Sequence, residues 1–226
     1  QIRCNSAIAE EGLRGDWGAN VGRVLLSECG SDIKNEARAY AAAASDARMS
    51  GCELPVVIVT GSGNQGITAS VPVIRYAKHI GASDERLYRA LLVSDLVTIH
   101  QKTGIGRLSA YCGAVSAGCG AGAGIAYLLG GDYRAIAHTI VNAVAILSGT
   151  ICDGAKPSCA AKIASAVEAG ILGYYMYVND QQFRGGDGIV AKGVENTIRN
   201  VGLLASQGMK QTDRVILNIM TGDQCL

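Results

Sequence analysis

The chain of 226 residues is 49% hydrophobic and 5% aromatic, with 20 Lys and Arg against 19 Asp and Glu for a net charge of +1. A chain of that length buries a substantial core, and its balanced charge excludes the dense positive field that a nucleic-acid partner demands. With 30 glycines and so few aromatics, packing falls to small side chains that let backbones approach closely, so close helix–helix contact is expected.

The sequence opens Gln1-Ile2-Arg3-Cys4, with neither an initiator Met nor a basic-then-apolar leader; no secretory signal is read there, and a piece of a longer polypeptide is expected. Residues 32–49 are Ala-rich with charges on one face and predict a helix. The β-branched run at 55–60, bounded by Pro and Gly, is the one strand candidate and could equally open a buried helix. Glycines then punctuate residues 61–66, ahead of an apolar pattern resuming at Ile67. Ser83, before Asp84-Glu85-Arg86, caps a helix expected to run through Leu96. A second glycine-punctuated break is expected at 100–107. Residues 108–131 carry no charge, and that length suffices to span a bilayer. Their Gly, Ala, Ser and Cys supply little apolar transfer energy, and each Gly costs about 1 kcal/mol of helix propensity relative to Ala; the reading is a buried central helix, with no membrane span. A third break covers 152–159, and further helices are expected at 132–147, 160–177 and 194–204. With no solenoid repeat and no low-complexity linker, the expected fold is mainly α: a single compact helical domain over residues 1–226, with Gly-rich loops and a buried Gly/Ala-rich central helix.

Loops carry chemistry more often than helix interiors do. The loop at 61–66 presents free backbone N–H groups at a helix start, a ready anion site. It lacks the Lys-Ser/Thr pair of a phosphate loop and the spacing of the dinucleotide fingerprint, which favours a carboxylate over a phosphate; a capped turn is the plainer alternative. Eight cysteines in a chain this long and this poor in turns suit free thiols, some of them metal ligands, better than a disulfide scaffold. Cys112 and Cys119 stand seven apart, as do Cys152 and Cys159. Seven residues of continuous helix rise ~10.5 Å, too far for two sulfurs to sit ~2.3 Å from one zinc, so one of the first pair only packs. Gly154 and Pro157 break the second segment and let both of its thiolates reach one site, with Asp153 and Lys156 between them. A structural zinc wants four closed ligands, whereas three cysteines on a [4Fe–4S] cluster leave one iron open; buried, unliganded cysteine is the remaining reading. His100 and Lys102 are candidate general bases. His79 and His138 are read as structural, and the charged residues of the Ala-rich and C-terminal helices as solvated faces.

Residues 10–15, 61–67, 100–114 and 152–157, the last reading Cys152-Asp153-Gly154-Ala155-Lys156-Pro157, together resemble the L-cysteine desulfidase branch of the serine dehydratase α-chain family, over essentially the whole chain. The resemblance implies a helical, PLP-independent lyase that holds an oxygen-sensitive [4Fe–4S] cluster on three cysteines. Its reaction is α,β-elimination from L-cysteine or L-serine, giving pyruvate and ammonia with sulfide or water. Carried over, the cluster ligands fall on Cys112, Cys152 and Cys159, and the substrate loop on Ser62, Gly63, Asn64 and Gln65. Cys119 falls where relatives also have a small residue. Lys102 or His100 is the candidate for proton transfer. Relatives carry roughly another domain's worth of residues ahead of this chain's start. A homo-oligomer or a partner chain supplying that N-terminal half is therefore expected, with a small amino-acid substrate, a cytoplasmic location, and no nucleic-acid or membrane partner. Some relatives end near a cysteine, so Cys225 is either a tail thiolate that occupies the open iron or an incidental thiol on a frayed end. The rival from another class is a zinc-stabilised or metal-free helical subunit with no catalysis of its own. A PLP lyase would need a lysine in a recognisable aldimine setting, and none is read here.

Overall fold

Capping residues decide where several of the helices start. In the computed structural model, which describes residues 1–107 and 109–222, Asp32 accepts from the backbone N–H groups of Lys34 and Asn35 at 2.8 and 2.9 Å and opens α3 (Ile33–Met49). Ser83 accepts from the Arg86 N–H and opens α5 (Asp84–Ile105), with Asp84 and Glu85 in the first turn facing the positive end of the helix dipole. Asp132 does the same for α7 (Tyr133–Leu147) at the Ala135 N–H. The other helices are α1 (Ile2–Arg14), α2 (Val21–Cys29), α4 (Gly63–His79), α6 (Gly113–Leu128), α8 (Cys159–Val178), α9 (Val194–Leu203) and α10 (Lys210–Thr221), with a π-helical turn at Leu204–Gly208 before the last. The chain is thus mainly α-helical, as its sequence implies.

The uncharged segment forms α6, and every residue of it from Ala114 to Ala126 is buried. Helices α4, α5, α7 and α8 surround it. Glycines set the spacing against α8: a Cβ on Gly122 would lie 2.6 Å from the Gly170 carbonyl oxygen, so the two backbones touch and no side chain fits between them. Larger apolar groups fill the remaining space, among them Ile67, Val73, Ile125, Leu128, Ile163 and Ile171, each contributing about 1.5–3 kcal/mol by full burial. Helices α1 and α2 pack on α3, and α9 packs on α5. Two ion pairs of 2.8 Å, Arg38–Glu168 and Arg75–Glu36, tie α3 to α8 and to α4. Helix α10 buries no residue. Among the described residues no helix is long and apolar enough to cross a membrane.

Three local expectations are corrected. Residues 55–58 form neither strand nor helix, and Val59 makes only an isolated bridge to Ser62 across a tight turn. The side-chain amide of Asn5 occupies the place of a neighbouring strand: its oxygen accepts from the Val57 N–H at 2.9 Å and its nitrogen donates to the Val57 carbonyl at 3.2 Å. The break expected at 100–107 is helical as far as Ile105, because Gly104 serves a close crossing with Gly202 of α9 and does not interrupt the helix. The loop at 61–66 is shorter than expected, since α4 already begins at Gly63.

Candidate functional site

Three chain breaks meet above the N-terminal end of α6. The first is the turn at Thr60 and Gly61, which delivers Ser62 as the N-cap of α4 without a side-chain cap bond. The second and third are held together by a short antiparallel bridge between Tyr111 and Ile151. In it the Cys112 N–H donates to the Thr150 carbonyl at 3.1 Å and the Cys152 N–H to the Ala110 carbonyl at 2.6 Å. Cys112 is the N-cap of α6, and Cys159 is the first residue of α8. Between Cys152 and Cys159 the backbone reverses at Gly154, with φ +92°, a conformation that L side chains rarely adopt. The Cys159 N–H then closes the turn on the Lys156 carbonyl at 2.9 Å.

These segments line one cavity of ≈ 320 Å³, whose wall includes Cys112, Cys152 and Cys159 together with Ser62, Asn64 and Gln65. Gly63, between Ser62 and Asn64 at the start of α4, does not line it. A second cavity of ≈ 310 Å³, against α7 and residues 182–194, carries no thiol. The sequence-predicted cysteines and loop residues therefore come together, and the remaining candidates do not. Cys119 is buried in the core two turns into α6, and burial pushes its thiol up to about 12. His100 is exposed on the outer side of α5, where its Nε2 lies 2.8 Å from a Glu195 carboxylate oxygen. His138 stacks on Tyr177 with ring centroids 5.1 Å apart. Lys102 is buried; it does not line the cavity, yet it lies close enough to Cys152 and Cys112 to feel their charge. Desolvation lowers its pKa, and the two cysteines push the other way. Cys225 falls outside the described residues, as does Leu108 within the motif that precedes Cys112.

Cys112 and Cys152 are close enough to shift each other's ionisation. The neighbouring Cys112 thiol is the largest influence holding the Cys152 thiol below its ordinary value, helped by the Gly154 N–H, Lys162 and Lys102. The same proximity, with burial, drives Cys112 upward. One thiolate is therefore favoured at this spot before any metal is considered, and thiolate is the form that binds iron. Among the described residues no three His, Cys, Asp or Glu side chains converge tightly enough for a single metal ion. A polynuclear cluster places each thiolate on a different iron, so its ligands stand further apart than those of one ion; the donor set here is three cysteine thiols on one cavity wall.

Two cavity residues escape the sequence reading. Lys162, one turn into α8, pairs with Asp153 and donates to the Ile151 carbonyl at 2.9 Å, while Asp153 also pairs with Lys156. Arg48, in the last turn of α3, is half-buried and lines the cavity. Its Nη1 donates to Asn64 Oδ1 at 3.2 Å. Arg48 belonged by pattern to a solvated helix face; only the approach of α4 to α3 shows otherwise.

A model of the serine dehydratase alpha chain matches residues 1–218. Similar proteins include a UPF0597 protein of Desulfitobacterium hafniense strain Y51, 68% identical over 225 residues, which are 100% of this chain and 52% of that protein. A UPF0597 protein of Lachnoclostridium phytofermentans is 56% identical over 220 residues, 97% of this chain and 53% of that protein. One from Finegoldia magna is 54% identical over 220 residues, 97% of this chain and 52% of that protein. The chain spans about half the length of these curated relatives. No solved structure matches it.

Proposed function

We propose, from the premise that the chain belongs to the serine dehydratase alpha chain family, that it is the cluster-binding part of an amino-acid lyase acting on L-cysteine or L-serine. The observation that carries this reading is the convergence of Cys112, Cys152 and Cys159 with Ser62, Asn64 and Gln65 on one cavity. The three thiolates would hold a [4Fe–4S] cluster, which when bound supplies an open iron as a Lewis acid for the departing β-substituent. The α-proton and the β-thiol or β-hydroxyl leave as sulfide or water, and the aminoacrylate product takes up water to give pyruvate and ammonia.

The chain's own residues have distinct tasks in this reading. The uncapped first turn of α4, with Ser62, Gly63, Asn64 and Gln65, receives the substrate carboxylate at the positive end of the helix dipole. Lys102 and Lys162 compensate the negative charge of the thiolates, since both favour the ionised form of Cys152. We assign Lys102 to that task, because it lies off the cavity wall, and we give His100 no part in proton transfer, because it pairs with Glu195 on the outside. The base that takes the α-proton belongs to the remaining polypeptide, brought by the other half of a longer chain, a partner chain or a second copy. An oxygen-sensitive cluster suits the cytoplasm, and the seven described cysteines are free thiols.

The test is turnover by anaerobically reconstituted protein, with pyruvate, ammonia and sulfide measured from each amino acid. A brown protein that releases pyruvate from either substrate supports the reading. A colourless, zinc-loaded protein that releases none returns the chain to a non-catalytic helical subunit.

A further inference from the structure

Asn64 lines the cavity, yet its amide is engaged by α3. Its Oδ1 accepts from Arg48 Nη1 at 3.2 Å and from Ser45 Oγ at 3.4 Å, and its Nδ2 lies 3.5 Å from Met49 Sδ, so the side chain is turned toward α3. Because a guanidinium only donates, the atom that meets Arg48 must be the oxygen. Arg48 in turn lies against the backbone of Gly63: a Cβ there would come 2.8 Å from its guanidinium carbon, so only glycine leaves the guanidinium its place over the first turn of α4. Among the described residues no carboxylate lies within ion-pair distance of Arg48. The cation faces the same cavity as the three thiols.

A half-buried guanidinium held by a neutral acceptor keeps its full charge and its remaining donors for a ligand, and its planar fork matches a carboxylate. We infer that Arg48 is the residue that binds the substrate carboxylate, and that Asn64 is the positioning residue that aims it. This rests on the site proposed above and changes the part played by its loop: the α4 terminus and Arg48 form one anion site, while Asn64 acts through the guanidinium. The ligand class follows as a small carboxylate, and the corresponding carboxamide is excluded.

Binding by titration calorimetry separates this inference from the question of turnover. L-serine and L-serinamide differ only at the carboxyl group. Measured on the anaerobically purified full-length protein, L-serine should bind about 10- to 100-fold more tightly than L-serinamide, the range expected for a charged hydrogen-bonded pair. Arg48→Gln should abolish that preference, and Arg48→Lys should restore part of it. Asn64→Asp is the sharper variant: it keeps shape and acceptor, so a merely structural Asn64 would leave affinity unchanged, whereas a positioning residue that becomes a competing carboxylate should weaken L-serine binding at least tenfold at an unchanged thermal midpoint. In an active enzyme the same variants should raise KM far more than they lower kcat. A wild-type protein that binds acid and amide equally or binds neither, or an Arg48→Gln variant that keeps the preference, overturns the inference. If the Arg48-dependent preference stands while no amino acid is eliminated, the proposed reaction fails and the carboxylate site remains. If elimination proceeds with Arg48→Gln unaffected, the reverse holds.

Discussion

The two pairs of cysteines set seven residues apart meet opposite fates. Cys112 and Cys119 bracket the first two turns of α6, so one thiol stands at the mouth of the cavity while the other is carried down the helix axis into the core, where burial keeps it protonated. Cys152 and Cys159 bracket a loop that turns back at Gly154, and both line the cavity. Equal spacing says nothing about shared chemistry until the backbone between the residues is known. A straight helix separates what a reversed loop brings together.

Several changes should break or sharpen this contrast. The largest effect is expected from Gly118→Val, since any Cβ there would meet the Ala166 backbone and side chain and force α6 away from α8. Overpacking of that kind costs about 3 kcal/mol, and chemical denaturation should show it together with loss of both cysteine environments. Next comes Cys119→Ser, which places a hydroxyl in a fully buried apolar setting at a cost of about 2 kcal/mol; the thermal midpoint should fall while iron binding survives. Gly154→Ala strains the loop at φ +92° by about 1 kcal/mol. Its signature should be slower cluster assembly with little change in helical content. If Gly154→Ala instead leaves assembly untouched, the loop reversal is not what brings Cys159 to the site.

The smallest effect is in pH dependence. In the metal-free protein the folded-state pKa of Cys152 lies below that of an unfolded thiol, so its contribution to stability is fully present above the ordinary thiol value, about 8.5, and is lost as pH falls toward the lowered one. Cys112 and Cys119 are shifted upward and act in the opposite sense, removing stability only above the ordinary thiol value. Denaturation midpoints of wild type and Cys152→Ser should therefore converge as the solution is acidified from pH 8. Alkylation should follow the same order, with Cys152 modified near neutrality and Cys119 only on unfolding.

Much of the helical fold was legible in the sequence because its signals are local. Asp32, Ser83 and Asp132 announce helix starts that the structure places at the next residue, and the uncharged Gly/Ala segment reads as a buried helix from composition alone. Helices α1, α2 and α10 escaped that reading; the anchoring of the first two to α3 is tertiary, as where the Gly22 N–H of α2 donates to Asp46 of α3 at 3.2 Å. Residues 55–58 have the composition of a strand, yet the partner their backbone finds is one asparagine side chain, and no periodicity forecasts that. Gly104 reads as a break because sequence does not distinguish a glycine that ends a helix from one that lets another helix approach. At the site, the loop glycines and the cysteine loop stood out as motifs. Arg48 and Lys162 did not, since each sits on a regular helix and acquires its role only from the neighbour packed against it.

The claim that three thiols, and not four, serve the cavity is tested most directly by iron and acid-labile sulfide per chain in serine variants of Cys112, Cys119, Cys152 and Cys159, reconstituted anaerobically side by side. The account predicts that Cys112→Ser, Cys152→Ser and Cys159→Ser each lose the cluster while Cys119→Ser retains it in full. A full cluster in Cys159→Ser together with its loss in Cys119→Ser would contradict the account.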